Sequence, residues 1–140
     1  MNKTLTILAL FVLIISCGEK RVKRIVPGTW TLVSIEGTDS WGFTKEYSGT
    51  GQLIFEDCDN STCAYSINID ATGGYGEYTR SDSGVYDVVL DATNIRFIRT
   101  SLPQIDTVDA HIFQLTKTDL KISYKERGSD VSYLVVFSKD

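Results

Sequence analysis

Short runs of alternating apolar and polar residues fill the chain from Gly28 onward, and turn-forming residues separate them. Because side chains point alternately to the two faces of a β-strand, this alternation is typical of strands with one buried face. No stretch of this region has a helical period long enough to predict a helix. The pattern predicts eight strands, at residues 29–36, 52–57, 63–70, 84–91, 95–100, 107–116, 120–126 and 130–138.

Large apolar side chains keep one phase within each predicted strand, so each strand has one apolar face. The aromatic residues that this phase predicts to point inward are Trp30, Phe55, Tyr65, Tyr86, Phe97, Phe113, Tyr124, Tyr133 and Phe137. Strands that are joined in sequence bury such faces together when they close into a barrel, which also removes exposed sheet edges. We therefore expect an all-β, eight-stranded antiparallel up-and-down barrel, with a β-sandwich as the alternative.

Two polar, glycine-rich segments are predicted to be connections between strands. The first, residues 37–51, contains Trp41, Phe43 and Tyr47, and aromatic residues in such a connection can cap a barrel mouth or face a partner. The second, residues 71–83, has a cluster of glycines that resembles a phosphate-binding loop. Since no helix follows to offer its N-terminus, a flexible connection is the better interpretation.

The start of the chain has the pattern of a secretory signal, with Lys3 before an apolar run at residues 5–15. That run is shorter than the ~20 residues of a membrane span. Ile14, Ser16 and Cys17 at its end resemble a lipobox, the signal for lipidation of bacterial lipoproteins. The resemblance implies cleavage before Cys17 and acyl chains on it, with an uncleaved anchor as the alternative. In many bacteria an aspartate directly after the lipidated cysteine retains a lipoprotein at the inner membrane. Gly18 stands at that position, so the resemblance implies the cell outer membrane, with the domain facing the periplasm.

The cysteine count agrees with lipidation. The chain has 3 cysteines, and an odd number leaves one thiol unless other chemistry consumes it. With Cys17 lipidated, Cys58 and Cys63 remain at either side of an apparent hairpin turn, so we expect a disulfide between them. A redox role is the alternative, although the spacing is not Cys-x-x-Cys.

Charge divides the chain into a short basic segment and an acidic body. Lys20, Arg21, Lys23 and Arg24 are close together, whereas residues 28–140 hold 9 lysines and arginines against 17 aspartates and glutamates. We expect a cleaved signal at residues 1–16, a lipidated cysteine and basic tether at 17–27, and one domain at 28–140. The acidic domain argues against nucleic acid as a partner. The tether either touches anionic headgroups or is a solvated linker.

The first predicted strand begins with Gly28, Thr29 and Trp30, and the last contains Tyr133 and Phe137 at a Tyr-x-x-x-Phe spacing. These features resemble the lipocalin-like domains of bacterial lipoproteins. The resemblance implies that Trp30 lies at the closed end of the barrel and that a small apolar ligand binds inside. The candidate cavity or mouth residues are Trp30, Trp41, Phe43, Tyr47, Phe55, Tyr65, Tyr86, Phe97, Phe113, Tyr124 and Tyr133. A barrel filled by its own aromatic residues, acting as a protein-interaction module of the envelope, is the alternative.

No arrangement of residues predicts catalysis, a metal or a cofactor. His111, the only histidine, is in phase with Phe113 and is expected to be a core-facing structural residue, because no nucleophile or carboxylate is placed beside it. Asp57, Asp59 and Ser61 alternate like the start of a calcium loop, but that loop needs a glycine at the next position. An enzyme is therefore the third interpretation, after a ligand-binding barrel and an interaction module.

Overall fold

The computed structural model describes residues 18–58 and 62–140, so the predicted signal peptide, Cys17 and residues 59–61 lie outside the description. Its eight strands follow one another around a closed antiparallel barrel, in which the last strand pairs with the first. They are β1 Gly28–Thr38, β2 Thr44–Phe55, β3 Ala64–Gly73, β4 Gly76–Val89, β5 Asn94–Arg99, β6 Asp106–Leu115, β7 Asp119–Lys125 and β8 Ser132–Ser138. The predicted up-and-down barrel is confirmed.

Much of the two segments predicted to be connections is strand. The β2 strand begins at Thr44 and β4 at Gly76, so only short turns join β1 to β2 and β3 to β4. Glycine allows this close pairing: a Cβ atom on Gly49 would lie 2.1 Å from the carbonyl oxygen of Asp70. The glycine content that indicated loops therefore reflects the close approach of two strands.

Inward-facing side chains fill the barrel. The fully buried ones include Trp30, Phe55, Phe97, Phe137, Ile35, Leu53, Ile69, Ile95, Leu120, Ile122 and Val135. The ring of Phe55 lies 4.8 Å from that of Tyr86, and the ring of Phe97 lies 4.7 Å from that of Tyr65. Each such side chain contributes roughly 1.5–3 kcal/mol by leaving water, so this aromatic layer is a main source of stability.

A short helix over residues 18–25 packs across one end of the barrel, called the helix end below. Val22 and Val26 are buried there, and the indole Nε1 of Trp30 donates a 2.7 Å hydrogen bond to the carbonyl of Val26. Lys139, just after β8, donates to the carbonyls of Ile25 and Pro27 at 2.8 and 3.0 Å. The segment expected to be a tether is thus a packed part of the fold.

The opposite end of the barrel, called the tip end below, is formed by the turns that follow β1, β3, β5 and β7. No helix among residues 18–58 and 62–140 is long and apolar enough to span a membrane. The disulfide predicted between Cys58 and Cys63 is present, in the connection between β2 and β3 at the helix end. Its sulfur at Cys58 lies 3.6 Å from the hydroxyl of Tyr86.

The prediction that Phe113 and His111 face the core is wrong. The inward positions of β6 are Val108 and Ala110, and a β-bulge then inserts Phe113 as an extra residue between the pairs that Ile112 and Gln114 make with β7. Both Phe113 and His111 lie exposed on the outer wall. A bulge reverses which side chains of a strand point inward. An assignment that starts from Leu115, after the bulge, therefore gives the wrong face for the residues before the bulge.

Two phenylalanine substitutions test this assignment of faces. Phe97→Ala should lower the free energy of unfolding by about 3–5 kcal/mol, because it removes a fully buried ring. Phe113→Ala should change it by at most about 0.5 kcal/mol, because that ring is 61% exposed. Urea unfolding in the absence of lipid measures both. Similar losses for the two variants would contradict the outward placement of Phe113.

Candidate functional site

The predicted ligand-contact residues divide into two groups in the structure. Those buried inside the barrel are Trp30, Tyr47, Phe55, Tyr65, Tyr86, Phe97, Tyr124 and Tyr133. The exposed ones are Trp41 and Phe43 at the tip end and Phe113 near the helix end. The predicted set therefore does not form one site, because its exposed members lie at opposite ends of the molecule.

Tyrosines close the barrel at the tip end. The rings of Tyr78 and Tyr133 lie 4.2 Å apart, and Tyr47 packs 5.9 Å from Tyr133. The hydroxyls of Tyr78 and Tyr124 share a 2.7 Å hydrogen bond. Burial raises the pKa of Tyr133 to about 12, and the neighbouring Tyr47 adds to this shift. These contacts fill the barrel at its tip end.

One concave site of about 370 Å³ lies between β1 and β2 and is lined in part by the interior residues Ile35 and Tyr47. Three others lie outside the packed interior. One of about 380 Å³ is on the outer wall, between β1, β2 and β3, and one of about 500 Å³ is at the connection of β5 to β6. A third, of about 220 Å³, separates the helix from the end of β6. None of these three is lined by the interior aromatic residues, so the arrangement matches a filled barrel better than a ligand cavity.

A charged cluster lies inside the tip-end half of the barrel. Arg80 and Asp82 are both buried and joined by a 2.9 Å contact, and the hydroxyl of Tyr65 donates to Asp82 at 2.6 Å. Arg99 contacts Glu126 and lies 3.7 Å from Asp82. Charges removed from water are tolerated only when they are paired in this way. The cluster therefore constrains the packing of β3, β4 and β5 against the start of the connection between β7 and β8.

Arg80 is only partly satisfied by these partners. Its Nη1 and Nη2 atoms are buried and have no hydrogen-bond acceptor among the described residues. Its guanidinium lies 4.7 Å from the ring centre of Tyr124 and 5.2 Å from that of Phe97, so aromatic faces provide part of the missing stabilisation. Burial disfavours the charged form, but Tyr124 and Asp82 together raise the pKa of Arg80, which therefore stays protonated.

The turn between β1 and β2, residues 39–43, is held by one aspartate; we call it the hairpin tip. The Asp39 Oδ1 atom accepts hydrogen bonds from the amides of Trp41 and Phe43 at 2.9 and 3.0 Å. The amide of Gly42 donates to the carbonyl of Asp39 at 3.0 Å, which closes a β-turn. Gly42 has a φ of 88°, a conformation that favours glycine.

A second set of contacts ties the hairpin tip to the neighbouring hairpin. The hydroxyl of Tyr75, in the turn between β3 and β4, lies 3.0 Å from Asp39 Oδ2 and 2.6 Å from the carbonyl of Phe43. The ammonium of Lys45 lies 4.5 Å from the centre of the Tyr75 ring. Partial desolvation acts to raise the pKa of Asp39, but the hydrogen bonds from Phe43, Tyr75 and Trp41 outweigh it and lower that pKa.

This rigid tip presents two large apolar side chains to solvent. Trp41 is 85% exposed and Phe43 is 68% exposed. Exposed aromatic residues on an ordered turn lose little conformational freedom when a partner covers them, which favours binding. Leu102 and Ile105 are also exposed at the tip end, in the connection of β5 to β6. Among the described residues, the tip end therefore exposes more large apolar side chains than the helix end.

Several of these residues were missed by the sequence analysis. Arg80 and Asp82 are in phase with Tyr86, but their polar surroundings were interpreted as a connection. Continuing the alternation backward from Tyr86 would have placed both of them inside. The sequence from Asp39 to Gly42 has the aspartate and glycine typical of a type I turn, a signal that predicts a hairpin. Tyr75 had no such signal, because its role depends on pairing between distant hairpins.

Comparison with known proteins supports the fold alone. No family model and no curated protein matches the chain. Among solved structures, the redesigned β-barrel mFAP1 bound to DFHBI is similar, with a TM-score of 0.51 and 19% identity over 85% of this chain and 99% of that chain. A de novo designed fluorescence-activating β-barrel has a TM-score of 0.50 and 15% identity over 85% and 97%. At these identities the similarity concerns the barrel architecture.

The role of Asp39 can be tested by amide exchange. Asp39→Ala should speed hydrogen exchange at the amides of Trp41 and Phe43 roughly fivefold, because both amides lose their acceptor. Asp39→Asn keeps a side-chain oxygen and should change the exchange less, and Asp70→Ala on the outer wall is the matched control. NMR-detected exchange provides the measurement. Equal rates in Asp39→Ala and the unmodified chain would show that the carboxylate does not hold the tip.

The buried ion pair can be tested by a double-mutant cycle. Asp82→Leu should cost about 3–5 kcal/mol, because it leaves the Arg80 charge without its closest partner. Replacing both, as Arg80→Met with Asp82→Leu, should cost less than this single change, because no uncompensated charge remains at the pair. Urea unfolding gives the four stabilities. A double variant that is as unstable as the sum of the single variants would rule out the pairing.

Proposed function

We propose that this chain is a lipid-anchored lipoprotein of the cell envelope that acts as a protein-interaction module. In this proposal the hairpin tip docks a protein partner, and the filled barrel is the rigid scaffold that presents it. The observation that carries the proposal is the tip itself: Asp39 and Tyr75 hold Trp41 and Phe43 in an ordered turn with both side chains in solvent. Nothing in the packing of the barrel needs these two rings.

The physical chemistry of the tip fits protein recognition. Tryptophan is enriched among the residues that dominate binding energy at interfaces, because one ring buries a large area with few rotatable bonds. Ordering of the turn before binding reduces the entropy cost of docking. A preformed pair of rings therefore suits a partner with an apolar pocket.

The anchor and the family are supported by the sequence. Cys17 ends a lipobox-like segment, and lipidation there would attach the chain to the outer membrane on its periplasmic side. Gly28 and Trp30 open a barrel whose closed end contains the Trp30 ring, which supports a lipocalin-like relationship. The function is binding without catalysis, an assignment that agrees with the exposed position of His111 beside Asn94. The acidic body favours partners other than nucleic acid.

Photocrosslinking in the native cell tests the docking of a protein at the tip. A photoreactive phenylalanine analogue placed at Trp41 should form a discrete adduct with one envelope protein. Phe43→Ala in the same chain should reduce the adduct by roughly tenfold, as expected for loss of a central aromatic contact.

The same analogue placed at Thr79, exposed on the wall of β4, provides the control. It should give no adduct of that mass. The proposal fails if the adduct at position 41 is absent, or if it equals the pattern obtained at position 79.

A small apolar ligand inside the barrel is the second candidate function. It is favoured by Arg80, whose two terminal nitrogens have no acceptor among the described residues and could donate hydrogen bonds to a ligand. Entry would require the rings of Tyr47, Tyr78 and Tyr133 to move apart. Native mass spectrometry of the protein purified from its own envelope tests this. A bound mass that disappears in Arg80→Met supports the ligand, and the bare chain mass supports the filled barrel.

A further inference from the structure

We propose that the helix end of the barrel is a membrane-contact surface that binds anionic phospholipid headgroups and inserts Phe113 and Leu90 into the interfacial region. Its basic part is Lys20, Arg21 and Arg24 on the helix. These three residues together with Phe113 and Leu90 are called the helix-end face below. The proposal goes beyond the docking function of the hairpin tip. It shares with that function only the attachment of the chain to a membrane.

Two large apolar side chains are exposed beside the helix. Phe113 is 61% exposed and lines the groove of about 220 Å³ that separates Gly18, Arg21 and Val22 from the end of β6. Its exposure results from the β-bulge in β6, which turns this ring out of the barrel. Isolated exposed apolar residues are common, so these two are informative only together with the cations at the same end of the barrel.

Leu90 supplies the other apolar side chain, on the turn that joins β4 to β5. It is 63% exposed, and Leu90, Asp91 and Ala92 have φ angles of 53, 56 and 65°. Residues with side chains rarely adopt these left-handed conformations, so the turn keeps an unfavourable backbone while leaving a leucine in solvent. Ala92 of the same turn packs against Gly18, where an added Cβ would lie 3.2 Å away.

The charge of the helix matches an anionic surface. Lys20, Arg21 and Arg24 are exposed, and none of them makes an ion pair with another residue of the described chain. The fourth cation, Lys23, is engaged with Glu19 at 2.7 Å and Asp87 at 3.4 Å, and its single positive charge offsets one of those two negative charges.

Charge also sets the orientation of the barrel. Residues 28–140 have a net charge of −8, so an anionic bilayer repels most of the barrel. Three exposed carboxylates at this end oppose the attraction, namely Asp91 in the turn and Glu56 and Asp57 after β2. The helix is therefore the part of the molecule that such a bilayer attracts.

The chain reaches the membrane from this same face. Gly18 directly follows Cys17 and the apolar run at residues 5–15, whether that run is cleaved or kept. The helix is fixed to the barrel by hydrogen bonds, because the Trp30 indole donates to the carbonyl of Val26 and the Lys139 ammonium donates to the carbonyl of Ile25. A lipid or an apolar segment attached here keeps the helix-end face near the bilayer, and the cations then bring it into contact with anionic headgroups. The hairpin tip, at the opposite end, then points away from it.

Tryptophan quenching by brominated lipid tests the contact. The full chain, produced with its own N-terminal segment, is reconstituted into vesicles of equal parts phosphatidylglycerol and phosphatidylcholine with brominated acyl chains. Phe113→Trp places a reporter on the helix-end face, and Phe43→Trp places a matched reporter on the tip. Relative to the unmodified chain, we expect the added emission of Phe113→Trp to be quenched at least about twofold more than that of Phe43→Trp.

Charge reversal tests the headgroup part of the proposal. Lys20→Glu, Arg21→Glu and Arg24→Glu, combined in the Phe113→Trp chain, should remove most of the extra quenching. Vesicles of phosphatidylcholine alone should do the same, since they lack anionic headgroups. Equal quenching of the two reporters, or stronger quenching at position 43, overturns the proposal.

Flotation of the unmodified chain with the same vesicles separates this proposal from the anchor. Flotation with both vesicle types, but without extra quenching at position 113, supports the anchor and contradicts the membrane-contact surface. Flotation only with phosphatidylglycerol supports the surface and contradicts the anchor. Flotation with neither type contradicts both.

Discussion

Pairing of β1 with β8 closes the sheet, and the rest of the molecule depends on that closure. A closed sheet has no free edge, so every strand is hydrogen-bonded to a neighbour on both sides. It also creates two distinct ends, because the turns alternate between them. The helix packs at one end beneath Trp30, and the hairpin tip projects at the other. Both proposed functions follow from what each end presents.

Because its own side chains fill the barrel, we expect binding to occur on the outer surface of the protein. Eight strands enclose about enough room for their own side chains or for one small ligand, and here the aromatic residues occupy that room. The buried contact of Arg80 with Asp82 adds a polar constraint that a purely apolar core would lack. Such pairs are weak sources of net stability, but removal of one partner is costly because it leaves an uncompensated buried charge. A rigid scaffold suits a protein that presents a fixed tip.

The sequence predicted the barrel because alternation survives in nearly every strand. It predicted the disulfide because Cys58 and Cys63 flank one turn, and that pairing is confirmed. It failed at Phe113, since a bulge changes the phase without any local signal that a strand pattern can detect. It also failed at Arg80 and Asp82, because polar inward residues look like a connection. The hairpin tip is held partly by Tyr75, which contacts Asp39 from another hairpin, and this contact is visible only in the folded chain.

Xenon binding to crystals of the protein under pressure tests the central claim most directly, namely that the barrel is a filled scaffold acting through its surfaces. Xenon occupies apolar voids of protein interiors and leaves close-packed cores empty. A filled barrel predicts no xenon among the rings of Phe55, Tyr65, Tyr86 and Phe97. A well-occupied xenon site among those rings would reveal an internal cavity and would contradict the claim.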